Sequence, residues 1–170
     1  MKNKKVLVIV IAIFVFTLCG WRLWPQSLND ILSLRENAFT KITVKVSEFG
    51  IINNSPTIDG YSLEIVSPED NNYSAIMSIL ESTKFYPDFR NLLPWDVLTV
   101  DSGRKNITHS AHIMLTWGDT NNDVCYVSFH GERIVSFDIS GNTEFLVYHP
   151  TNRTVLEQIA TYTMENGEKQ

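Results

Sequence analysis

Cysteine is nearly missing from this chain, with two among 170 residues. Cys19 lies inside an apolar N-terminal run and Cys125 stands alone in the remainder, so no disulfide can form within residues 25–170. An exported domain without disulfides suits a bacterium better than a eukaryotic secretory route. Positive charge is scarce as well: 14 Lys+Arg stand against 19 Asp+Glu, for a net charge of −5. Four of the 14 (Lys2, Lys4, Lys5 and Arg22) fall in the first 24 residues, which leaves ten against all 19 acids, a balance of −9. That balance argues against nucleic acid and against an anionic membrane surface as the main partner. There is no G-x-S-x-G, phosphate-binding loop, dinucleotide fingerprint or zinc-type Cys/His spacing, and no internal repeat. These absences remove the enzyme classes that a linear motif would reveal. Catalytic groups brought together only by folding stay open.

What the N-terminus does hold is apolar surface. Met1 to Lys5 carries three cations, and "VLVIVIAIFVFTLC", Val6 to Cys19, follows with Thr17 as its one polar residue. Val6 to Trp24 is 19 residues; as a helix rising about 1.5 Å per residue it reaches roughly 28 Å, close to a hydrocarbon core of about 30 Å. Trp21 and Trp24 suit a membrane interface, the stem of Arg22 can carry its charge to the headgroups, and Pro25 can end the helix. Cleavage would need small residues before the cut, but the available pairs are Thr17/Cys19 and Leu18/Gly20. A lipid-modified Cys19 would follow Leu18, a poor match to a lipoprotein signal. The expectation is therefore a retained signal-anchor over 1–24, with cleavage and lipidation as alternatives. The lysines place the N-terminus in the cytoplasm and the rest outside, as a single-pass protein of the cell membrane.

Beyond the anchor the pattern changes to short alternating segments. Residues 25–40 read as a stalk or short helix, with Ser27 or Asn29 as cap and Leu28, Ile31 and Leu32 on one side. Ile42, Val44 and Val46 alternate with Thr43 and Lys45 as a half-buried strand, and Tyr61, Leu63 and Ile65 make a second. "GIINNSPTIDG", between them, reads as a hairpin or irregular loop. Ser67-Pro68-Glu69-Asp70 opens a helix whose Tyr73, Ile76, Met77 and Leu80 form a stripe. Four alternating segments follow: Ala111 to Trp117, Val124 to His130, Arg133 to Ile139 and Thr143 to His149. Short turns join them, as in an antiparallel meander. A last helix presents Val155, Leu156, Ile159 and Tyr162, and residues 166–170 read as a frayed tail. The whole predicts an α+β domain over 41–165: two strands, a helix, a four-strand meander and a C-terminal helix packed on one face.

Candidate chemistry is sparse. "LTVDSG", Leu98 to Gly103, resembles the catalytic loop of aspartic proteases, but no second Asp-Thr/Ser-Gly is present to complete the pair around Asp101. His109 and His112 form H-x-x-H, which binds metal from one helix face; on a strand, a spacing of three sends the rings to opposite sides. Cys125 alternates with Val127 and Phe129 and reads as a small buried hydrophobe. The irregular stretch Lys84 to Ser110 concentrates Phe85, Tyr86, Phe89 and Trp95, which makes those four rings the candidate binding residues. No catalytic residue, metal ligand or cofactor is assigned.

The segments "SLNDILSLRENAFTKITVKV" and "IVSPEDNNYSAIMSIL", followed by a meander ending in "EFLVYHP", resemble small anchored or lipoprotein-type extracytoplasmic domains of unknown function from Gram-positive bacteria. That resemblance implies the α+β layout and no particular reaction. The functional expectation is an anchored, non-catalytic binding domain facing an envelope protein partner. The alternatives are an envelope hydrolase built on a spatial Asp/His cluster and an inhibitor- or immunity-like module.

Overall fold

A computed structural model describes residues 9–11, 17, 20, 24–32, 39–52, 55–88, 91, 109–117, 124–139 and 145–170. The described chain is organised by one eight-stranded antiparallel sheet. In chain order the strands are β1 (Lys41–Ile52), β2 (Ser55–Ile65), β3 (Phe85–Pro87), β4 (His109–Thr116), β5 (Val124–Phe129), β6 (Val135–Ile139), β7 (Phe145–Pro150) and β8 (Glu168–Lys169). Across the sheet they run β3-β7-β6-β5-β4-β1-β2-β8. Among the described residues they are accompanied by helices α1 (Leu28–Leu32), α2 (Asn71–Glu81) and α3 (Val155–Asn166).

The joint that makes this one sheet is β1 against β4, with Ile42 opposite Leu115 and Glu48 opposite His109. It is written in the alternation of both strands. Ile42, Val44 and Val46 on β1 and Ala111, Ile113 and Leu115 on β4 are all buried, so only an even register keeps both apolar sets on the same side. Cys125, Val127 and Phe129 of β5 and Val135 and Phe137 of β6 extend that buried surface. Over it α3 lays Val155, Leu156, Ile159 and Ala160, packing on β4, β2 and β1, while α2 leans on α3. Phe137 is the hub of the far half, with ring centroids 5.3 Å from Phe85 and 5.2 Å from Tyr148, both edge to face.

Local chemistry sets the helix starts. At α1, the Ser27 hydroxyl donates to Asp30 Oδ2 at 2.7 Å while the Asp30 N–H donates back to Ser27 Oγ, a reciprocal cap. The Ser27 hydroxyl and the Ser27 N–H, both donating to Oδ2, hold the Asp30 carboxyl below its ordinary range. At α2, Asp70 is the cap: its side chain accepts from the Asn72 N–H at 2.8 Å, and Ser67–Asp70 is a turn ahead of the helix. Between β5 and β6, Gly131 adopts φ 75°, a left-handed conformation that favours glycine.

Several expectations are corrected. Among the described residues no helix is long and apolar enough to cross a membrane. The transmembrane anchor over 1–24, and with it a single-pass cell-membrane location, is therefore not supported. Most of the Val6–Trp24 run lies outside the described residues, and the helical positions described there, 9–11, 17 and 20, make no such span. The α+β layout with two strands set apart from a four-strand meander is replaced by the continuous sheet, because β1 pairs with both β2 and β4. Of the two readings of residues 25–40, stalk or short helix, a short helix forms at Leu28–Leu32, and its Leu28, Ile31 and Leu32 are buried in the core. The tail expected to fray supplies β8, with Lys169 opposite Tyr61 and Glu168 opposite Ser62.

Candidate functional site

The helices cover one face of the sheet, and the register determines what the other face shows. Residues directly opposite one another in antiparallel strands point to the same side. The pairs Glu168–Ser62, Ser62–Lys45, Lys45–His112, His112–Ser128, Ser128–Ser136 and Ser136–Val147 thus form one row across β8, β2, β1, β4, β5, β6 and β7, with the exposed Glu168 at one end. Lys45 and His112 are exposed in this row, Ser128 is half-buried, and Ser136 is 2% exposed. The row therefore runs from an open end at β8 to a covered end at β6.

Hydrogen bonds connect its members. His112 Nδ1 lies 3.0 Å from Ser128 Oγ. The Ser136 hydroxyl donates to the Ser128 carbonyl at 3.5 Å, and Ser136 Oγ lies 3.0 Å from His130 Nε2. Burial lowers the proton affinity of His130, and the neighbouring His112 lowers it further, because two positive rings would repel. Among the described residues no carboxylate is hydrogen-bonded to either ring, so neither Ser–His pair has the acid that orients a catalytic imidazole.

A second polar group pins the sheet edge beside β3. Asp88 is only 4% exposed, and its Oδ2 lies 3.0 Å from His149 Nε2. The other nitrogen of that ring, Nδ1, is 2.9 Å from the Arg133 carbonyl. Both partner atoms are oxygen acceptors, so the ring is held from two sides. Next to it, the Asn91 side chain imitates a strand residue: its amide donates to the Val147 carbonyl at 2.7 Å and its oxygen accepts the Val147 N–H at 3.0 Å.

The four candidate rings do not come together as one described surface. Phe85 is fully buried against Phe137, whereas Tyr86, its neighbour on β3, is 47% exposed on the other side. Phe89 and Trp95 lie outside the described residues, as does Asp101. His109 and His112 fall on opposite faces of β4; His109 stands 3.9 Å from Glu48, beyond hydrogen-bond distance. Among the described residues no three His, Cys, Asp or Glu side chains converge as a metal site. Cys125 is buried, and burial with the nearby Asp138 pushes its thiol up to about 12, which leaves it without nucleophilic thiolate at neutral pH.

The residues that sequence reasoning missed are Ser128, His130 and Ser136. Their period-two spacing places Ser128 and His130 on one face, but the partner strands that complete the row are remote in sequence. Comparisons with protein-family models, with curated proteins and with solved structures find no match.

Proposed function

We propose that this chain is a non-catalytic binding domain that meets a protein partner on the open face of its sheet. One observation supports this reading above the others. Among the described residues, the exposed large apolar side chains within the strands are Phe49, Ile58, Tyr86 and Tyr126, and by register all four belong to the open face. Aromatic side chains are enriched at protein interfaces, so exposed aromatics gathered on one face favour that face for binding. An inhibitor- or immunity-like module would be one form of such a domain. The hydrolase alternative is less well supported, since His109 and His112 cannot act together from opposite faces.

Site-specific photo-crosslinking in cells tests the reading. A crosslinker in place of Tyr126 is expected to give a discrete protein adduct, and one in place of Gln158, exposed on α3 on the other side, is expected to give none. Adducts from Gln158 alone, or equally from both positions, would remove the open face as the binding surface.

A further inference from the structure

The outer edge of the sheet, along β2, is covered by a very short strand. β2 is 11 residues long, yet β8 pairs only with its Tyr61 and Ser62. We propose that this edge is a docking site for an extended, basic segment of a partner protein, and that the chain's own residues 168–170 occupy it as a built-in competitor. Apart from Phe49 and Ile58, which border it, the edge is separate from the open face, and its use does not depend on whether Tyr126 meets a partner.

The backbone direction fixes which groups an added strand meets. The Gly60 carbonyl accepts from the Gln170 N–H at 2.9 Å, so Gly60 turns its hydrogen-bonding groups away from β1. In an antiparallel ladder alternate residues point the same way, which turns Ser62, Ile58 and Pro56 outward as well. Pro56 has no N–H to offer, as suits proline on an edge strand, and it limits the usable edge. Ile58 differs. Its N–H and C=O face outward with no partner among the described residues, and its side chain is 67% exposed opposite Phe49, itself 41% exposed. A strand longer than β8, laid along Ser62, Tyr61 and Gly60, takes those two backbone groups and covers both side chains.

The segment already seated there shows what the edge recognises. Lys169 lies opposite Tyr61, with Nζ 3.0 Å from Asp59 Oδ1 and 5.7 Å from the Tyr61 ring centroid. Gln170 donates from Nε2 to Ser62 Oγ at 3.0 Å. Glu48 is directly opposite Asp59, and like charges so placed repel each other. His109, opposite Glu48, stands 3.9 Å from it, and among the described residues no Lys or Arg other than Lys169 pairs with either carboxylate. Lys45 belongs to the other face. A segment that displaces the tail therefore needs Lys or Arg opposite Tyr61 to replace that cation. It needs an apolar residue three positions further on, opposite Ile58 and on the same side as Phe49.

The tail is held by bonds weak enough to exchange. Glu168, Lys169 and Gln170 are all exposed, where ion pairs and hydrogen bonds each contribute little. A partner competes with them, so its apparent affinity is reduced by the fraction of chains whose edge is free.

Fluorescence anisotropy with the full chain and the labelled peptide Gln-Lys-Gln-Thr-Ile-Thr tests this, the lysine aligning with Tyr61 and the isoleucine with Ile58. Gln170→Pro removes the N–H that reaches Gly60 without altering charge, and it should tighten peptide binding about three- to tenfold. Glutamate in place of the peptide's lysine should weaken binding to that variant at least about threefold. Hydrogen exchange should show the Ile58 amide becoming protected when the peptide binds, with the Tyr126 amide unchanged. No binding to either chain, equal affinity for the natural chain and Gln170→Pro, or binding without protection at Ile58 would each overturn the proposal. Equal binding of the lysine and glutamate peptides would overturn it too.

Discussion

Gly167 offers a sharp perturbation because it has no room for a side chain. A Cβ added there would sit 2.6 Å from the Ser62 carbonyl oxygen and 2.6 Å from the Thr163 carbonyl oxygen. Both obstacles are backbone, one in β2 and one in the last turn of α3, and neither can rotate away. Gly167 also donates its N–H to Thr163 at 2.8 Å and leads into β8, and the N–H of Gln170 reaches the Gly60 carbonyl at 2.9 Å. Gly167→Ala must therefore either push α3 from β2 or release the tail. Overpacking of this kind costs about 1–3 kcal/mol. Release of the tail sets a ceiling of similar size, since exposed backbone hydrogen bonds contribute about 0.5–1.5 kcal/mol each. Urea denaturation should show a loss of about 1–3 kcal/mol, equivalent to roughly 2–4 °C in Tm per kcal/mol for a chain of this size. Hydrogen exchange should accelerate in the Gly60–Ser62 segment and leave β5 unchanged. Unaltered stability together with unaltered protection at Ser62 would refute the reasoning.

Three further outcomes are expected. Phe137→Ala removes a fully buried ring with two edge-to-face partners and should destabilise by about 3–5 kcal/mol in urea, far more than Tyr126→Ala on the exposed side. Cys125 should resist iodoacetamide in the native protein and react once the chain is unfolded, as a buried thiol pushed up to about 12 requires. His130 has its proton affinity lowered by burial and by His112, so the unfolded ring binds protons more readily than the folded one. Its contribution is thus complete above the unfolded value of about 6.5 and is lost as pH falls through the lower folded value. Urea midpoints near pH 7.5 and near pH 5 should accordingly diverge more for the natural chain than for His130→Gln.

What the sequence made legible was local and periodic. The alternation of Ile42, Val44 and Val46, and that of Cys125, Val127 and Phe129, identifies side chains that are buried in the structure. The stripe of Ile76, Met77 and Leu80 likewise marks the buried side of α2. The start of that helix was misplaced because Ser67-Pro68 is a good opening on paper, while Asp70, four residues from Ser74, caps the first turn that forms. Gly50 to Gly60 reads as turn-rich, yet β1 and β2 run on to Ile52 and from Ser55, since cross-strand pairs such as Phe49–Ile58 continue the ladder. Non-local pairing was illegible. Nothing in the linear pattern joins β1 to β4 across more than fifty residues of chain, or brings the tail to β2. Because the site is assembled by that pairing, Lys45 and His112 were visible only as separate polar positions, and the Ser128–His130–Ser136 network was not visible at all.

The polar row on the open face depends on a single structural fact, that β1 lies on β4 with Lys45 opposite His112. Cross-strand backbone NOEs on labelled protein measure it directly. Contacts are expected to link Lys45 to His112 and Thr43 to Met114, with Lys45 and His112 on the solvent side. A register displaced by one residue, with Lys45 opposite Ile113, or a β1 with no contact to β4, would contradict it.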